Sequence, residues 1–353
     1  MKIKLSIFAS FAILFGFGAL WSINNGVEIA MPYIQENVRQ TASVESTRTE
    51  SKQTENNKQF EAISNNTSNN TKTEKTNEIS VIIGGDLMMD RAIRLFGEKN
   101  GYDALFASIT PLFNGADIVA ANLEGTITSN PSKTLLANNS MTDSFTFTFD
   151  PKTATALAQA HITAISLANN HADNFGAKGL EETKRLLSEV GIQYFGNPWN
   201  KSPVDIVVSK NGGNVAFVGY HAFQKGFPGI VARVKELSKQ DNFVIVMPHW
   251  GNEYSSKPTE MMKGQARELV SAGANAIIGS HSHVIGENEW IGTVPVYYSL
   301  GNLLFDQYFS PETMKGELVE LHLIVQNGKT VFDNLKIIEV SNASRKGIEV
   351  IED

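Results

Sequence analysis

The sequence predicts an α/β fold on a mixed β-sheet, and three observations predict it. From residue 79 onward, short apolar runs alternate with helix-like stretches, as strands alternate with crossover helices. Six polar clusters each follow one of those runs, and open α/β sheets gather ligands beyond the carboxyl ends of their strands. The last part of the chain, Glu317 to Val325 and Thr330 to Val340 around Asn327-Gly328, reads as an antiparallel hairpin. With the doublet of Tyr-rich strands before it, the hairpin makes the sheet mixed.

Composition narrows the chemistry. The chain has 353 residues, 42% of them hydrophobic, and a formal net charge of -7. That is enough for one large catalytic domain plus appendages. An acidic chain with no basic patch argues against a nucleic-acid partner. There is no cysteine, which excludes disulfides, thiolate metal sites and Cys nucleophiles. A metal would be held by His, Asp, Glu and Asn, a set suited to Mn, Zn, Fe or Mg.

The elements follow in order. Lys2 and Lys4 precede the apolar stretch Leu5 to Trp21, and no further cation occurs before Arg39. Residues 1–34 are therefore expected to form a transmembrane signal anchor with a cytoplasmic start, rather than a cleaved signal. This makes the membrane a partner. The protein would sit in the cell membrane as a single-pass protein with its C-terminal domain outside the cytoplasm. Residues 35–78 are Ser, Thr, Asn, Gln, Glu and Lys with almost no large apolar residue, and should be a disordered linker. Residues 79–340 form the folded domain and residues 341–353 a polar, peripheral tail.

Within the domain, Ile79 to Ile83 reads as a buried strand, Tyr102 to Phe113 as a helix and Ala116 to Ala120 as a strand. Pro151 to Ala160 reads as a helix capped by Asp150 with Pro at its first position. His161 to Leu167 is a strand, and Gly179 to Val190 a helix closed by Gly191. Val215 to Tyr220 and Phe243 to Pro248 are strands. Thr259 to Ala272 is a helix ending at Gly273, followed by a strand at Ala276 to Ile278 and another at Val294 to Ser299.

The clusters carry the chemistry. Gly84-Gly85-Asp86 turns sharply after a strand; Asp86 is a metal ligand or a helix cap, and Arg91 can pair an anionic substrate. Asn122 and Glu124 fall on one side of an extended chain. Asn170 and His171 offer an amide oxygen beside an imidazole. His249 ends a strand, with Glu253 close by to orient a ligand or cap the next segment. His281 and His283 sit two apart after Ala276 to Ile278. Asn302 and Asp306 contact substrate, support the ligands or form a turn. Five of the seven histidines (His171, His221, His249, His281, His283) lie at strand ends; His161 and His322 read as structural.

Taken in order, Gly85-Asp86-x-Met88-x-x-Arg91, Asn122-Leu123-Glu124, Asn169-Asn170-His171, His249-Trp250-Gly251-x-Glu253-Tyr254, Gly279-x-His281-x-His283-Val284 and Tyr298 to Asn302 resemble the CapA/PgsA family of poly-γ-glutamate capsule synthesis proteins. The resemblance runs from Ile79 to about Val340. That family is similar to the calcineurin-like metallophosphoesterases, which implies a four-layer αββα sandwich of two mixed sheets and a centre of two divalent metal ions. On the resemblance, Asp86, Glu124, Asn170, His249, His281 and His283 hold metal, with Glu124 bridging. His171 and Arg91 are catalytic, and Asn122, Glu253, Asn302 and Asp306 contact substrate or back the ligands.

The pattern departs at Met88, where a histidine ligand is usual, and at Asn174, where Asp is usual. Ser282 replaces a common Pro and Leu303 a common Phe. The resemblance implies a role in synthesis or export of poly-γ-glutamate or a related polymer, with that anionic polymer and the synthase or export subunits as partners. It leaves open a stand-alone metal-dependent hydrolase and a non-catalytic polymer-binding module.

Overall fold

The computed structural model describes residues 77–351. The expected anchor and nearly all of the linker lie outside these residues. Among the described residues, no helix is long and apolar enough to cross a membrane.

The chain runs β1 (Asn77–Leu87), α1 (Arg91–Asn100), a 3-10 turn (Asp103–Phe106), α2 (Thr110–Phe113), β2 (Ile118–Leu123), β3 (Thr126–Ile127) and β4 (Thr148–Phe149). Next come α3 (Lys152–Gln159), β5 (Ala164–Ser166), α4 (Gly176–Glu189), β6 (Gln193–Phe195), β7 (Asp205–Lys210) and β8 (Gly213–His221). Then follow α5 (Phe227–Ser238), β9 (Phe243–His249), α6 (Glu260–Ala272), β10 (Ala276–Ile278), β11 (Asn288–Ile291) and β12 (Val294–Tyr297). The chain closes with β13 (Asn302–Leu304), β14 (Lys315–Gln326), β15 (Lys329–Ser341) and β16 (Glu349–Val350).

Two mixed sheets result. The first has the order β16-β15-β14-β1-β2-β5-β6, with β13 added alongside the end of β1; the second is β11-β12-β10-β9-β8-β7. β1, β2, β5 and β6 run parallel to one another, as do β8, β9, β10 and β12. Side chains of a strand alternate between faces, so β1 feeds two cores. Val81 and Ile83 meet Phe217 and Ile245 of the second sheet, whereas Ile82 packs with Phe106, Leu157 and Leu180 beneath the helices. A third core joins Ala216, Val218 and Val244 to Ile230 of α5 and Leu269 of α6. The layers are therefore helix, sheet, sheet, helix.

The sequence expectations are met unevenly. The hairpin turns at Asn327 (φ 51°) and Gly328 (φ 77°), both left-handed, as a type I′ turn requires. α6 is capped by Thr259 Oγ1 on the Met262 amide and ends at left-handed Gly273.

The helix expected over Tyr102 to Phe113 is a 3-10 turn followed by a separate short helix. Pro111 stands in the first turn of α2; it lacks an N–H for the preceding turn and starts a helix more readily than it continues one. The strand expected from His161 begins only at Ala164, because His161 is left-handed (φ 66°) and closes α3. The stretch expected as a peripheral tail adds β16 to the sheet edge and buries Ile348. α5 is a further helix; its start carries Gly226 and Pro228 in the order that opens a helix.

Candidate metal centre

All six metal-ligand candidates converge where the two sheets meet at the carboxyl ends of their parallel strands. Asp86 stands in the last turn of β1 beside Asn122 of β2 and Asn302 of β13. Gly85 is required here for close approach rather than for a turn: a Cβ on it would lie 2.0 Å from the Gly301 carbonyl oxygen. That spacing lets the Asp86 amide bond to the same carbonyl at 3.1 Å. From the second sheet, His221 and His249 are paired ends of β8 and β9, and His249 is bridged to Ser280.

Two donor sets share Glu124. In the first, Asp86, Glu124 and His283 bring ligand atoms within 4.8 Å of one another; in the second, Glu124, His249 and His281 do the same. Asn170 extends the second set, with its Oδ1 2.7 Å from His249 Nε2, which is itself 3.0 Å from His281 Nδ1. Glu124 is 1% exposed, and its Oε2 has no hydrogen-bond partner among the described residues. A buried carboxylate oxygen without a donor is costly, and lone pairs from an amide, a carboxylate and two imidazoles converging at one place suit a cation. The residues present therefore fit divalent metal.

The supporting residues fix these donors. Asn122 Nδ2 donates to Asp86 Oδ1 (2.7 Å) and faces His249 Nδ1 (3.2 Å), while its Oδ1 accepts from Asn169. Asn302, fully buried, accepts from His283 Nδ1 at 3.0 Å and donates to Thr313 O and Gln307. This holds the His283 proton on Nδ1 and turns Nε2 toward Glu124, 3.8 Å away. Ser280 Oγ also lies against the His249 ring, 3.1 Å from its Nδ1. Asn302 is thus spent on protein partners rather than turned to a substrate.

Met88 is not a ligand. It is fully buried, and its sulfur takes the Asp90 amide at 3.1 Å. The Asp86 set is consequently poorer by one donor than the set that includes Asn170.

Backbone strain marks the same place. Arg91 (φ 53°), Tyr254 (φ 61°), His281 (φ 96°) and His283 (φ 58°) are all left-handed non-glycine residues, a conformation that costs on the order of 1 kcal/mol or more each and collects at functional sites. At His281 it directs the amide onto Asp86 Oδ2, 3.0 Å away.

Arg91 lies between the rings of Phe147 and Phe305, 5.1 and 5.5 Å from their centroids. Asp306 holds its Nη2 at 2.5 Å and also accepts the Ala92 amide, so the carboxylate serves both the guanidinium and the start of α1. His171 stacks near Phe147, keeps Nε2 3.8 Å from Glu124 Oε1, and sets Nδ1 against Asn174 Oδ1 at 3.1 Å. Glu253 is exposed, with its carboxylate within ligand reach of His281 and His283.

Electrostatics follow from burial. Burial raises the Glu124 carboxyl well above the usual range, only partly opposed by His283. Burial also lowers His281 and His171 to about 4 and holds His249 well below its usual value, so these rings are neutral at pH 7. His283 behaves oppositely: burial lowers it, but the charges of Glu124 and Asp86 outweigh this and lift it to about 9.

Sequence reasoning did not assign roles to Asn169, Asn174, Ser280 and Phe223. The first three were visible beside named ligands. Phe223 was not, because only the fold sets its ring 4.6 Å from that of His281.

Fold and site together define a two-sheet α/β protein with a buried carboxylate–amide–imidazole cluster that could hold metal ions. The chain belongs to the bacterial capsule synthesis protein PGA_cap family, whose model matches residues 80–307. It is 30% identical to the capsule biosynthesis protein CapA of Bacillus anthracis, over 74% of this chain and 68% of that one. It is 28% identical to the PGA biosynthesis protein CapA of Bacillus subtilis, over 74% and 72%. Among solved structures, the calcineurin-like phosphoesterase YfkN of Bacillus subtilis matches at 15% identity and a TM-score of 0.46, over 77% of this chain and 92% of that one.

Proposed function

We propose that this protein is an accessory factor in synthesis or export of poly-γ-glutamate or a related anionic capsule polymer, and that its buried centre holds divalent metal and engages that polymer. The observation that carries the reading is the convergent carboxylate–imidazole donor cluster inside the span matched by a capsule-synthesis family. Its relatives are named for capsule and PGA biosynthesis.

Asp86, Glu124, Asn170, His249, His281 and His283 would hold the metal, which when bound supplies Lewis acidity and an acidified water. The protein's own groups complete the site. Arg91, pinned by Asp306, presents a guanidinium to an anionic group. His171 is neutral, and with its Nδ1 proton on Asn174 it offers a lone pair at Nε2, which accepts a hydrogen bond or a proton. That polarity suits a base or a contact to a protonated group. The apolar segment Leu5 to Trp21 favours membrane anchoring with residues 79–340 outside the cytoplasm, beside the polymer's synthase or export subunits.

Removal of the gene is expected to reduce surface polymer in amount or length, with restoration by the wild-type chain and not by His281→Ala. Unchanged polymer after removal would sink the reading.

A second reading, a stand-alone metal-dependent phosphoesterase, is favoured by the placement of Arg91 and His171 beside the donors. Here the full chain loaded with Mn or Zn should hydrolyse a generic phosphodiester, and His281→Ala should abolish turnover. Turnover that survives His281→Ala, or none in the wild type, counts against it.

A further inference from the structure

A cavity of about 210 Å³ opens between the end of β6 and the start of β7, and none of the candidate metal ligands lines it. Lys184, Tyr194, Trp199 and Lys201 line it. The Lys184 ammonium lies 5.9 Å from the centroid of the Tyr194 ring and pairs with exposed Glu181 at 2.9 Å. Lys201 is exposed and forms no ion pair among the described residues. Trp199 is 37% exposed. The one carboxylate on the wall, Asp205, is neutralised by Arg233 through two bonds of 2.8 and 2.9 Å. With Lys184 paired to Glu181 and Arg233 shared between Asp205 and Glu236, Lys201 is the one cation on this wall without a carboxylate partner among the described residues, and it stands with two aromatic rings, Tyr194 and Trp199.

The spot is built into the fold. Asn197 Oδ1 accepts the amides of both Trp199 and Lys201 at 3.1 Å, which fixes where the two side chains leave the loop. The same loop is bound to the centre's edge. His221 Nδ1 donates to Pro198 O at 2.8 Å, and Asn200 bonds both the amide and the carbonyl of His221. The His221 ring in turn lies 6.0 Å from that of His249. Half-exposed Phe223 packs against both His221 and His281.

We propose that this cavity is a second subsite for a carboxylate-bearing polymer, separate from the metal centre and tied to it through the loop bonded to His221. Lys184 and Lys201 pair with its carboxylates, and Trp199 and Tyr194 cover the methylene segments between them. Ammonium–carboxylate pairs are charge-assisted bonds, and flat rings bury apolar chain at little entropy cost. The subsite rests on the polymer reading above.

The test is titration of the full chain with a fluorescently labelled oligomer of γ-linked glutamate. Wild type is expected to bind saturably and more weakly as salt rises. The double variant Lys184→Gln/Lys201→Glu should weaken binding by about tenfold or more and flatten the salt dependence. Trp199→Ala should weaken binding without changing the salt dependence. Metal content should be unchanged in each variant. Equal affinity in wild type and double variant, or no saturable binding by wild type, overturns the subsite. If the oligomer binds as described while gene removal leaves surface polymer unchanged, the subsite stands and the biosynthetic role fails.

Discussion

Glu124→Gln is expected to strip the protein of metal while making the metal-free protein more stable. Glu124 is the one side chain common to both donor sets. Loss of a supporting residue around a metal typically costs 10–100-fold in affinity, and a shared ligand should cost more than about 100-fold. In the metal-free state the same carboxylate is a liability. It is buried, one oxygen lacks a partner, and burial holds its titration far above the usual range. A carboxyl raised on folding destabilises the fold once pH exceeds its unfolded value, because the unfolded chain ionises more easily. A neutral amide removes that penalty. Elemental analysis and thermal melts of metal-free samples at pH 7 check both halves. Full metal retention, or a lower melting temperature for metal-free Glu124→Gln than for metal-free wild type, would refute the assignment of Glu124 as a bridging ligand held against its own burial cost.

Metal uptake should be steeply dependent on pH. His283 titrates at about 9 in the metal-free site, so at neutral pH it carries a proton that a metal must displace. Affinity should rise up to tenfold per pH unit from about pH 6.5 to 9 and then level, with proton release on binding. The fold responds in the opposite sense without metal. A histidine raised on folding stabilises fully below its unfolded value near 6.5, and this contribution is lost as pH climbs through about 9. His281 and His171, lowered to about 4, are neutral in the folded protein throughout that window; the unfolded chain protonates them near 6.5, so they cost stability as pH falls below it. Calorimetric titrations in buffers of different ionisation enthalpy measure the released proton directly. Uptake that is flat between pH 6.5 and 9 would contradict the pairing of His283 with Glu124 and Asp86.

Much of this was legible in the chain. The parallel strands ending in polar clusters, the Asn327-Gly328 hairpin and the Thr259–Gly273 helix all rest on local rules of periodicity, capping and turn chemistry. Those rules need no knowledge of distant residues, and they serve best where the segment is long. They failed where a local signal interrupted an apolar run, at Pro111 within the expected helix and at left-handed His161 before β5. They also failed for short strands such as β13, whose three residues carry no period of their own and exist because β1 offers an edge.

The sequence by itself determined which residues could ligate metal, because residue type sets donor chemistry and strand ends set exposure to a common crevice. It also determined that Met88 breaks the expected donor pattern. Only the tertiary structure decided how those donors divide. Glu124 belongs to both sets since it follows β2, whose Asn122 reaches Asp86 of β1 in one sheet and His249 of β9 in the other. Asn302 and Asp306 turn inward, one to hold His283 and the other to hold Arg91, because β13 lies against β1 rather than along a free edge. The opposite titration of His283 and His281, two residues apart, has the same origin. Covalent neighbours share a sequence position, but charge and burial come from across the fold, where Glu124 and Asp86 lie 3.8 and 3.5 Å from the His283 ring nitrogens.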